Sequence, residues 1–472
     1  MFMRMVYDER LAQATYLIGC QRTGEAIVID PERDVDRYIE LAERHGLRII
    51  ATTETHIHAD FVSGSRELAD RVGAKVYLSG EGGPDWSYAW ADSLPDRQIL
   101  RDGDEFTIGS IVFRVIHTPG HTPEHICFSV TDRASNADTP IGILSGDFMF
   151  VGDLGRPDLL ETAAGQAGAM ETSARDLYRT VGRVVDTPGV IEDFAQVWPG
   201  HGAGSACGKA LGAVPTSTVG YERRFNPTLK AATDEKTFVD FVLSGQPEPP
   251  LYFADMKRVN RDGPRILGVL PDPARIDTAA LAKLDTQRVA LVDTRPWEDF
   301  RAGHVPGAMS FPLTDSFCTD AGSFVRADDR IVLITDADDR EETIRSLIRI
   351  GLDNIEGWLD ASDLDAYQSS GAPIATINEI DPDQARQLAA GGSARVLDVR
   401  RMTEFDAGHA DGAINSSHTR LADHLDRVDP GAQWLVVCRS GARSARSSAY
   451  LQRRGYDVTN VAGGMLAWSG HA

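Results

Sequence analysis

Histidine and aspartate residues recur in the first half of the chain at places where apolar runs end. The segment Thr55-His56-Ile57-His58-Ala59-Asp60 follows such a run, and similar positions hold His117-Thr118-Pro119-Gly120-His121, Ser145-Gly146-Asp147 and Pro199-Gly200-His201-Gly202. Alternate residues of an extended segment point the same way, so His56 and His58 can converge on one point. Neighbouring glycines allow sharp backbone turns. One such histidine is usually structural, but four elements within about 150 residues predict a metal site.

A cysteine near the C-terminus lies between a predicted strand and a predicted helix. The apolar run 434–437 ends at Cys438, which is followed by Arg439, Ser440, Gly441, Ala442 and Arg443, with a helix from about Ser444. Backbone N–H groups and the positive end of the helix dipole stabilise a thiolate in such a turn. Residues 434–472 hold five arginines and one acid, a local charge of +4. This pattern predicts a nucleophilic cysteine that attracts small sulfur anions.

The composition is that of an ordinary globular protein. Of the 472 residues, 42% are apolar and 25% charged, and 70 acids against 48 basic residues give a net charge of −22. That charge argues against nucleic acid and anionic membrane surfaces as partners, because both favour basic proteins. No apolar run approaches the roughly 18 residues of a membrane helix, and no apolar signal core opens the chain. Five scattered cysteines do not suggest disulfides, so we predict a cytoplasmic protein.

The chain beyond residue 262 contains an internal repeat. Residues 289–312 resemble residues 395–418, and the pairs Asp293/His304 and Asp398/His409 share a separation of eleven residues. A spacing near 105 residues predicts two homologous domains, and strands alternating with helices predict small parallel sheets. We therefore predict three domains, at 1–262, 263–375 and 376–472.

The first block resembles the metallo-β-lactamase superfamily through its HxHxD segment and the downstream His, Asp and His. The resemblance covers residues 1 to about 260 and implies an αββα sandwich. Dinuclear hydrolases of the superfamily have HxHxDH, whereas the last position here is Phe61. That departure removes one ligand of the second metal and favours a mononuclear centre.

Gly146-Asp147 followed by Gly155-Arg156-Pro157-Asp158 resembles the persulfide dioxygenases of that superfamily. The resemblance implies one Fe(II) per chain, held by His56, His121 and Asp147. Two imidazoles and a carboxylate suit non-haem iron and leave positions open for oxygen and substrate. The surrounding groups that could support these ligands are His58, Asp60, His201 and Arg156. We expect His117 and His125 to be structural, and Cys207 to be either a thiol relay or an inert buried cysteine.

The last block resembles the rhodanese sulfurtransferases, with Cys438 as the residue that carries a persulfide. Its loop from Cys438 through Arg443 has six residues, the length that accompanies sulfur substrates in the family. The middle copy has Thr335-Asp336-Ala337-Asp338-Asp339 at this place and no cysteine. Carboxylates repel a thiolate or sulfite, so we expect an inactive rhodanese-like domain that acts as a spacer or in dimerisation.

This domain order resembles the bacterial persulfide dioxygenase–sulfurtransferase fusions of sulfide detoxification. The resemblance implies oxidation of low-molecular-weight persulfides (of glutathione, coenzyme A or a similar thiol) by O2 to sulfite. It also implies sulfur transfer that forms or uses thiosulfate, and by analogy a homo-oligomer. Two alternatives stay open. One is a thioesterase of the glyoxalase II type with two metals, and the other is a non-catalytic persulfide sensor or relay.

Overall fold

The computed structural model describes residues 1–163, 165 and 168–470. The chain forms two compact units. One comprises Met1–Pro249 with Phe253–Leu270, and the other comprises Pro250–Tyr252 with the chain from Pro271 onward. The second unit therefore contains both copies of the repeat, while the predicted boundaries at 262 and 375 stay predictions. Among the described residues, no helix is long and apolar enough to cross a membrane.

Two six-stranded sheets form the centre of the first unit. The strands of the first sheet, in spatial and chain order, are β1 (Phe2–Asp8), β2 (Gln13–Cys20), β3 (Glu25–Ile29), β4 (Arg48–Thr53), β5 (Lys75–Ser79) and β6 (Arg97–Leu100). The second sheet has the order β12-β11-β10-β9-β8-β7 and consists of β7 (Glu105–Ile108), β8 (Ile111–His117), β9 (Ile126–Asp132), β10 (Gly142–Gly146), β11 (Gln196–Pro199) and β12 (Ser217–Thr218). Buried side chains of β2, β3, β8 and β9, among them Tyr16, Ile27 and Phe128, form one apolar core.

Helices cover both outer faces of this pair of sheets. They are α1 (Asp36–Arg44), α2 (Ser65–Val72), α3 (Leu159–Thr162), α4 (Ala169–Thr180, continued by a π-helical turn Val181–Val185), α5 (Val219–Phe225), α6 (Pro227–Lys230), α7 (Glu235–Leu243) and α8 (Phe253–Asp262). Tyr38 of α1 and Leu68 of α2 pack with the outer residues of the first sheet. Leu177 of α4 and Phe238 of α7 pack on the second sheet. The predicted αββα sandwich is confirmed.

The second unit contains two five-stranded sheets, one for each copy of the repeat, and all of their strand pairs are parallel. The sheet of the middle copy has the order β13-β17-β16-β14-β15, with β13 (Ala274–Arg275), β14 (Val289–Asp293), β15 (Met309–Ser310), β16 (Arg330–Thr335) and β17 (Ile355–Asp360). The sheet of the last copy has the order β18-β22-β21-β19-β20, with β18 (Asn378–Ile380), β19 (Arg395–Asp398), β20 (Ile414–Asn415), β21 (Gln433–Val437) and β22 (Asp457–Val461). The identical strand order confirms the repeat and the predicted parallel sheets.

The helices of this unit connect the parallel strands, as parallel pairing requires. They are α9 (Thr278–Leu281), α10 (Trp297–Ala302), α11 (Phe317–Phe324), α12 (Arg340–Arg349), α13 (Leu364–Ser369), α14 (Pro382–Ala390), α15 (Met402–Asp406), α16 (Ala442–Arg453) and α17 (Gly464–Trp468).

Helix α16, which follows Cys438, also packs against the middle copy. Its Ala449 belongs to the apolar core of that copy, and the ring of Tyr450 lies 4.7 Å from that of Phe324. Arg446 Nε donates a hydrogen bond to Asp320 Oδ2 at 3.1 Å, and both side chains are buried. The middle copy therefore supplies part of the packing of the helix that begins at the cysteine loop.

Candidate metal centre and cysteine loop

The three predicted metal ligands come together at one edge of the sandwich. His56 follows β4, His121 lies between β8 and β9, and Asp147 follows β10. All three side chains are buried, and one ligand atom from each lies within 4.8 Å of the others. Asp147 Oδ2 is 3.4 Å from His121 Nε2 and 3.9 Å from His56 Nε2. The sandwich thus unites residues that are up to 91 positions apart in the sequence.

Hydrogen bonds orient both imidazoles so that their Nε2 atoms face Asp147. The Nδ1 atom of His121 donates to the carbonyl oxygen of Arg156 at 2.9 Å. Nδ1 of His56 lies 3.0 Å from Thr55 Oγ1, which donates its own proton to Asp30 and therefore accepts from the imidazole. In both rings the remaining Nε2 carries a lone pair, and fixing the ring in this way is typical of metal-binding histidines.

Burial leaves these ligand atoms in the protonation states that a metal requires. Burial and neighbouring imidazoles hold the pKa of His56 well below its usual value, and burial also lowers the pKa of His121. His56 Nε2 and Asp147 Oδ2 are buried without a hydrogen-bond partner among the described residues. An unpaired buried polar atom is costly, and a divalent cation would satisfy both. The donor set therefore fits a metal ion.

Asp147 is itself held from two sides. Its Oδ1 accepts a hydrogen bond from His201 Nδ1 at 2.7 Å, and its backbone N–H donates to His125 Nε2 at 2.9 Å. Burial alone would raise the pKa of Asp147, but the charge and hydrogen bond of His201 outweigh burial and lower it. A Cβ at Gly200 would lie 2.7 Å from Asp147 Oδ1, so this glycine is required by the close approach of the loop.

A second buried group adjoins the first and consists of Asp60, His201 and Cys207, whose ligand atoms also lie within 4.8 Å of one another. His201 Nε2 donates to Asp60 Oδ2 at 2.7 Å, so this imidazole bridges Asp60 and the predicted ligand Asp147. The carboxylates of Asp147 and Asp60 raise the pKa of His201 despite its burial. Burial, Asp60 and Asp147 raise the pKa of Cys207 well above its usual value, so it is a thiol.

The other predicted supporting residues lie outside the ligand set. His58 Nε2 lies 3.1 Å from Asp30 Oδ1, so its ring points toward that carboxylate. The guanidinium of Arg156 is 1% exposed and forms a bidentate pair with Asp158 at 2.8 and 2.6 Å. Arg156 also donates to Ala206 O at 3.0 Å, and its own carbonyl holds His121. Arg156 therefore fixes the loop beside the predicted metal ligands.

Asp30 and Asn260 are important for the site but were not predicted. Asp30 follows β3, and its carboxylate accepts hydrogen bonds from the backbone N–H and hydroxyl of Thr55 at 2.6 and 2.9 Å. Asn260 of α8 donates to the carbonyl oxygens of His58 and Phe61 at 2.8 and 2.7 Å. Asp30 directly follows a strand, as the predicted site residues do, so its position in the sequence could have indicated a site residue. Asn260 is about 200 residues away in the chain and has no local signal.

The cysteine loop lies between β21 and α16 as predicted. Cys438 is 1% exposed, and its Sγ accepts hydrogen bonds from the Gly441 backbone N–H at 3.1 Å and from Ser444 Oγ at 3.5 Å. Gly441 has φ +101°, which a residue with a side chain rarely adopts. The loop is therefore shaped to direct donors at the sulfur.

The two loop arginines differ in their environment. Arg443 forms a bidentate pair with Glu404 of α15 at 2.7 and 2.8 Å, so its charge is largely neutralised. Arg439 is exposed and lines a cavity of about 550 Å³ together with His409 and Trp468. The charge of +4 counted over residues 434–472 does not include Glu404, because Glu404 lies outside that segment. Its pairing with Arg443 makes the net positive charge near Cys438 smaller than that count.

The corresponding loop of the middle copy has no nucleophile. Residues 336–339 after β16 are exposed, and three of the four are aspartates. Cys318 is buried in α11, where its Sγ donates to Ser346 O at 3.6 Å. Cys318 therefore lies in a helix, whereas the position that corresponds to Cys438 lies in the loop after β16.

Comparisons with known proteins agree with this architecture. The Metallo-beta-lactamase superfamily model matches residues 8–201, and the Rhodanese-like domain model matches residues 277–362 and 381–471. A solved metallo-beta-lactamase structure from Staphylococcus aureus is 39% identical, covers 76% of this chain and 98% of its own, and has a TM-score of 0.68. An uncharacterised Mycobacterium leprae protein is 30% identical over 236 residues, 46% of this chain and 92% of its own. The mitochondrial persulfide dioxygenase ETHE1 of Bos taurus is 27% identical over 237 residues, 49% of this chain and 78% of its own.

The chain belongs to the metallo-beta-lactamase superfamily. More particularly, it is a fusion of a metallo-beta-lactamase domain with two rhodanese-like domains that follow it. The homologues of the first domain include a persulfide dioxygenase.

Proposed function

We propose that the first unit is an iron-dependent persulfide dioxygenase and that the last repeat is a thiosulfate sulfurtransferase, acting together in sulfide detoxification. The observation that carries the proposal is the convergence of His56, His121 and Asp147 with two buried, unpaired ligand atoms. Kinship with a protein named persulfide dioxygenase supports the choice of reaction. Two imidazoles and one carboxylate support the choice of one Fe(II) per chain.

The oxidation consumes a low-molecular-weight persulfide, such as that of glutathione or coenzyme A. It is balanced as RSSH + O2 + H2O → RSH + SO3²⁻ + 2H⁺. When bound to the three ligands, Fe(II) supplies open coordination positions for oxygen and sulfur. The protein keeps both imidazoles neutral by burial, fixes Asp147 through His201 and His125, and excludes bulk water from the site.

The transfer step uses Cys438. Its thiolate attacks the outer sulfur of thiosulfate, the S–S bond breaks, sulfite leaves, and a persulfide remains on the cysteine. The reverse reaction forms thiosulfate from sulfite and that persulfide. The Gly441 N–H and Ser444 hydroxyl stabilise the anionic sulfur in both directions.

Cys207 is proposed as a thiol relay beside the metal centre. It would accept sulfur by the exchange RSSH + Cys207-SH → RSH + Cys207-SSH. The position of its Sγ within 4.8 Å of ligand atoms of Asp60 and His201 supports this role. The cytoplasmic location and the homo-oligomer stay predictions from the sequence.

The thioesterase alternative gains one observation from the structure. Asp60, His201 and Cys207 could hold a second metal although Phe61 replaces the histidine of the dinuclear hydrolases. Metal stoichiometry separates the two functions, because the dioxygenase needs one iron and the thioesterase needs two metals. A sensor or relay without catalysis would take up persulfide once, without turnover.

The division of labour is tested by variants measured in two assays. His121→Ala should abolish persulfide-dependent oxygen uptake and leave thiosulfate:cyanide transfer intact, and the same holds for His56→Ala and Asp147→Ala. Cys438→Ser should do the reverse. His45→Gln, at an exposed histidine away from both sites, is the matched control and should change neither activity. Loss of both activities from a folded single variant would contradict the proposal.

A further inference from the structure

We propose that two copies of the chain form a two-fold dimer in which a knob on the first unit of each copy inserts into a groove of the other. The knob, defined by Phe194, Tyr221 and Phe225, and the groove lie side by side on one face of the metallo-beta-lactamase domain. The inference goes beyond the proposed function, because it concerns assembly and not catalysis. It assigns a surface to the homo-oligomer that the sequence predicts only by analogy.

The knob is formed by three exposed aromatic side chains. Phe194 is 62%, Tyr221 57% and Phe225 48% exposed. The Gly220 N–H in α5 donates to Asp193 O at 2.8 Å, which brings this helix beside Phe194. The ring centroids of Tyr221 and Phe225 are 4.8 Å apart. Exposure of three large neighbouring aromatic rings to water is unfavourable in a monomer and typical of a protein interface.

A groove of about 580 Å³ borders the knob. Glu192 and Ala195, which lie on either side of Phe194 in the chain, belong to its lining. Its buried apolar lining residues are Val112, Ile116, Ile143 and Ile191. The volume falls within the range of pockets that enclose small organic molecules, so the groove can admit an aromatic side chain.

Because the knob and the groove lie on one face, the surface is self-complementary. A two-fold axis between them places the knob of each copy in the groove of the other, as an isologous contact requires. Phe194 lies just before β11, whereas His201 follows the end of that strand. Gly142 in the groove likewise begins β10, which Asp147 follows. The contact therefore uses the edge of the sandwich opposite to the predicted metal ligands.

The charges of the knob and the groove are complementary. Arg224 and Lys230 lie 5.3 and 5.6 Å from the centroid of the Phe225 ring, and neither side chain forms an ion pair or hydrogen bond with a residue that the structure describes. The described lining of the groove contains four acidic residues against three arginines, namely Asp102, Glu105, Asp138 and Glu192 against Arg114, Arg133 and Arg183.

This complementarity matters because of the charge of the whole chain. A chain with a net charge of −22 repels its own copies, so cations that enter an acidic groove offset part of that repulsion. Glu192 borders the knob in the same copy, so it is the carboxylate that we pair with Arg224 of the second copy.

Sedimentation velocity of the 472-residue chain tests the assembly. The wild type should have twice the monomer mass of 51.3 kDa. The double variant Tyr221→Ser/Phe225→Ser should be monomeric, because the aromatic side chains that fill the groove are lost. Ile99→Ser, at an exposed apolar residue of β6, is the matched control and should remain dimeric. A monomeric wild type would overturn the inference, and so would a knob variant that stays dimeric through another surface.

Charge reversal tests the two-fold arrangement. Glu192→Arg and Arg224→Glu should each raise Kd for the dimer about tenfold or more, because like charges then face each other across the axis. An equal mixture of the two single variants should assemble as the wild type does, since every contact in the mixed dimer joins one acid and one arginine. Arg48→Glu, at an exposed arginine of β4, is the matched control and should leave Kd unchanged. A mixture that stays dissociated, or single variants that assemble like the wild type, would contradict this contact.

Discussion

At the predicted metal centre, burial keeps both imidazoles neutral, and the hydrogen bonds donated by their Nδ1 atoms leave the lone pair on Nε2. Arg156 O and Thr55 Oγ1 accept those hydrogen bonds before any ion is bound. The ligands are therefore preorganised, and little rearrangement is required when a metal enters. The charge of the centre is balanced by His201, which bridges Asp147 and Asp60.

A buried carboxyl near this centre should make stability depend on pH. Glu124 is fully buried, its Oε1 accepts from the Ile57 N–H at 2.7 Å, and burial raises its pKa to about 7. Its unfolded pKa is near 4.5, so its contribution to stability is present below that pH and is lost as pH rises through 7. Glu124→Gln should therefore gain stability relative to the wild type between pH 5 and pH 8, by up to a few kcal/mol. Denaturant unfolding at several pH values measures this, and a pH-independent difference would contradict it.

The relay role of Cys207 can be tested by mass spectrometry. After brief exposure to glutathione persulfide, we expect one added sulfur on Cys207 in a Cys438→Ser background. Cys207→Ser should abolish the added sulfur. Cys20→Ser, at another buried cysteine, should retain it. Because the pKa of Cys207 is raised, labelling by thiol-alkylating reagents should be slow at neutral pH. Absence of added sulfur would leave Cys207 as an inert core residue.

At the level of elements, α16 links the cysteine loop to the middle repeat. Breaking a buried pair costs about 3–5 kcal/mol because one charge is left uncompensated. Asp320→Asn should therefore destabilise the second unit strongly, since Arg446 loses its buried partner. Thiosulfate sulfurtransferase activity should be lost at lower urea concentration than in the wild type.

A matched control is available on the surface of the same unit. Asp423 accepts a hydrogen bond from Arg326 at 2.7 Å, and both side chains are nearly half exposed. Asp423→Asn should cost less than about 1 kcal/mol. Equal urea sensitivity of the two variants would show that α16 does not depend on the middle repeat.

Elements with a strong local pattern could be predicted, and contacts across the fold could not. The apolar run before Cys438 predicted β21. The alternation in the HxHxD segment predicted that His56 and His58 converge on one point, but only His56 joins the cluster with His121 and Asp147, because His58 Nε2 lies 3.1 Å from Asp30 Oδ1. The pairing of Arg443 with Glu404 joins residues 39 positions apart, and the support of His58 by Asn260 joins residues 202 positions apart. Such pairs depend on tertiary packing, which no local spacing encodes.

At the scale of the whole molecule, the two activities are assigned to separate compact units. The predicted metal ligands belong to the first unit and Cys438 to the second. A tether between two sites raises the effective concentration of a shared intermediate when its geometry permits. With glutathione persulfide as the sole sulfur source, the wild type should accumulate thiosulfate, and Cys438→Ser should accumulate sulfite. Identical products from both proteins, separated by chromatography, would contradict the coupling.

Oxygen consumption is the most direct test of the proposed dioxygenase. The Fe(II)-loaded 472-residue chain is mixed with glutathione persulfide or coenzyme A persulfide, and dissolved oxygen is followed with an electrode. We predict rapid uptake over many turnovers, with one iron per chain and none of this activity in His121→Ala. No uptake by a protein that contains its full iron would contradict the dioxygenase and favour the thioesterase or the sulfur relay.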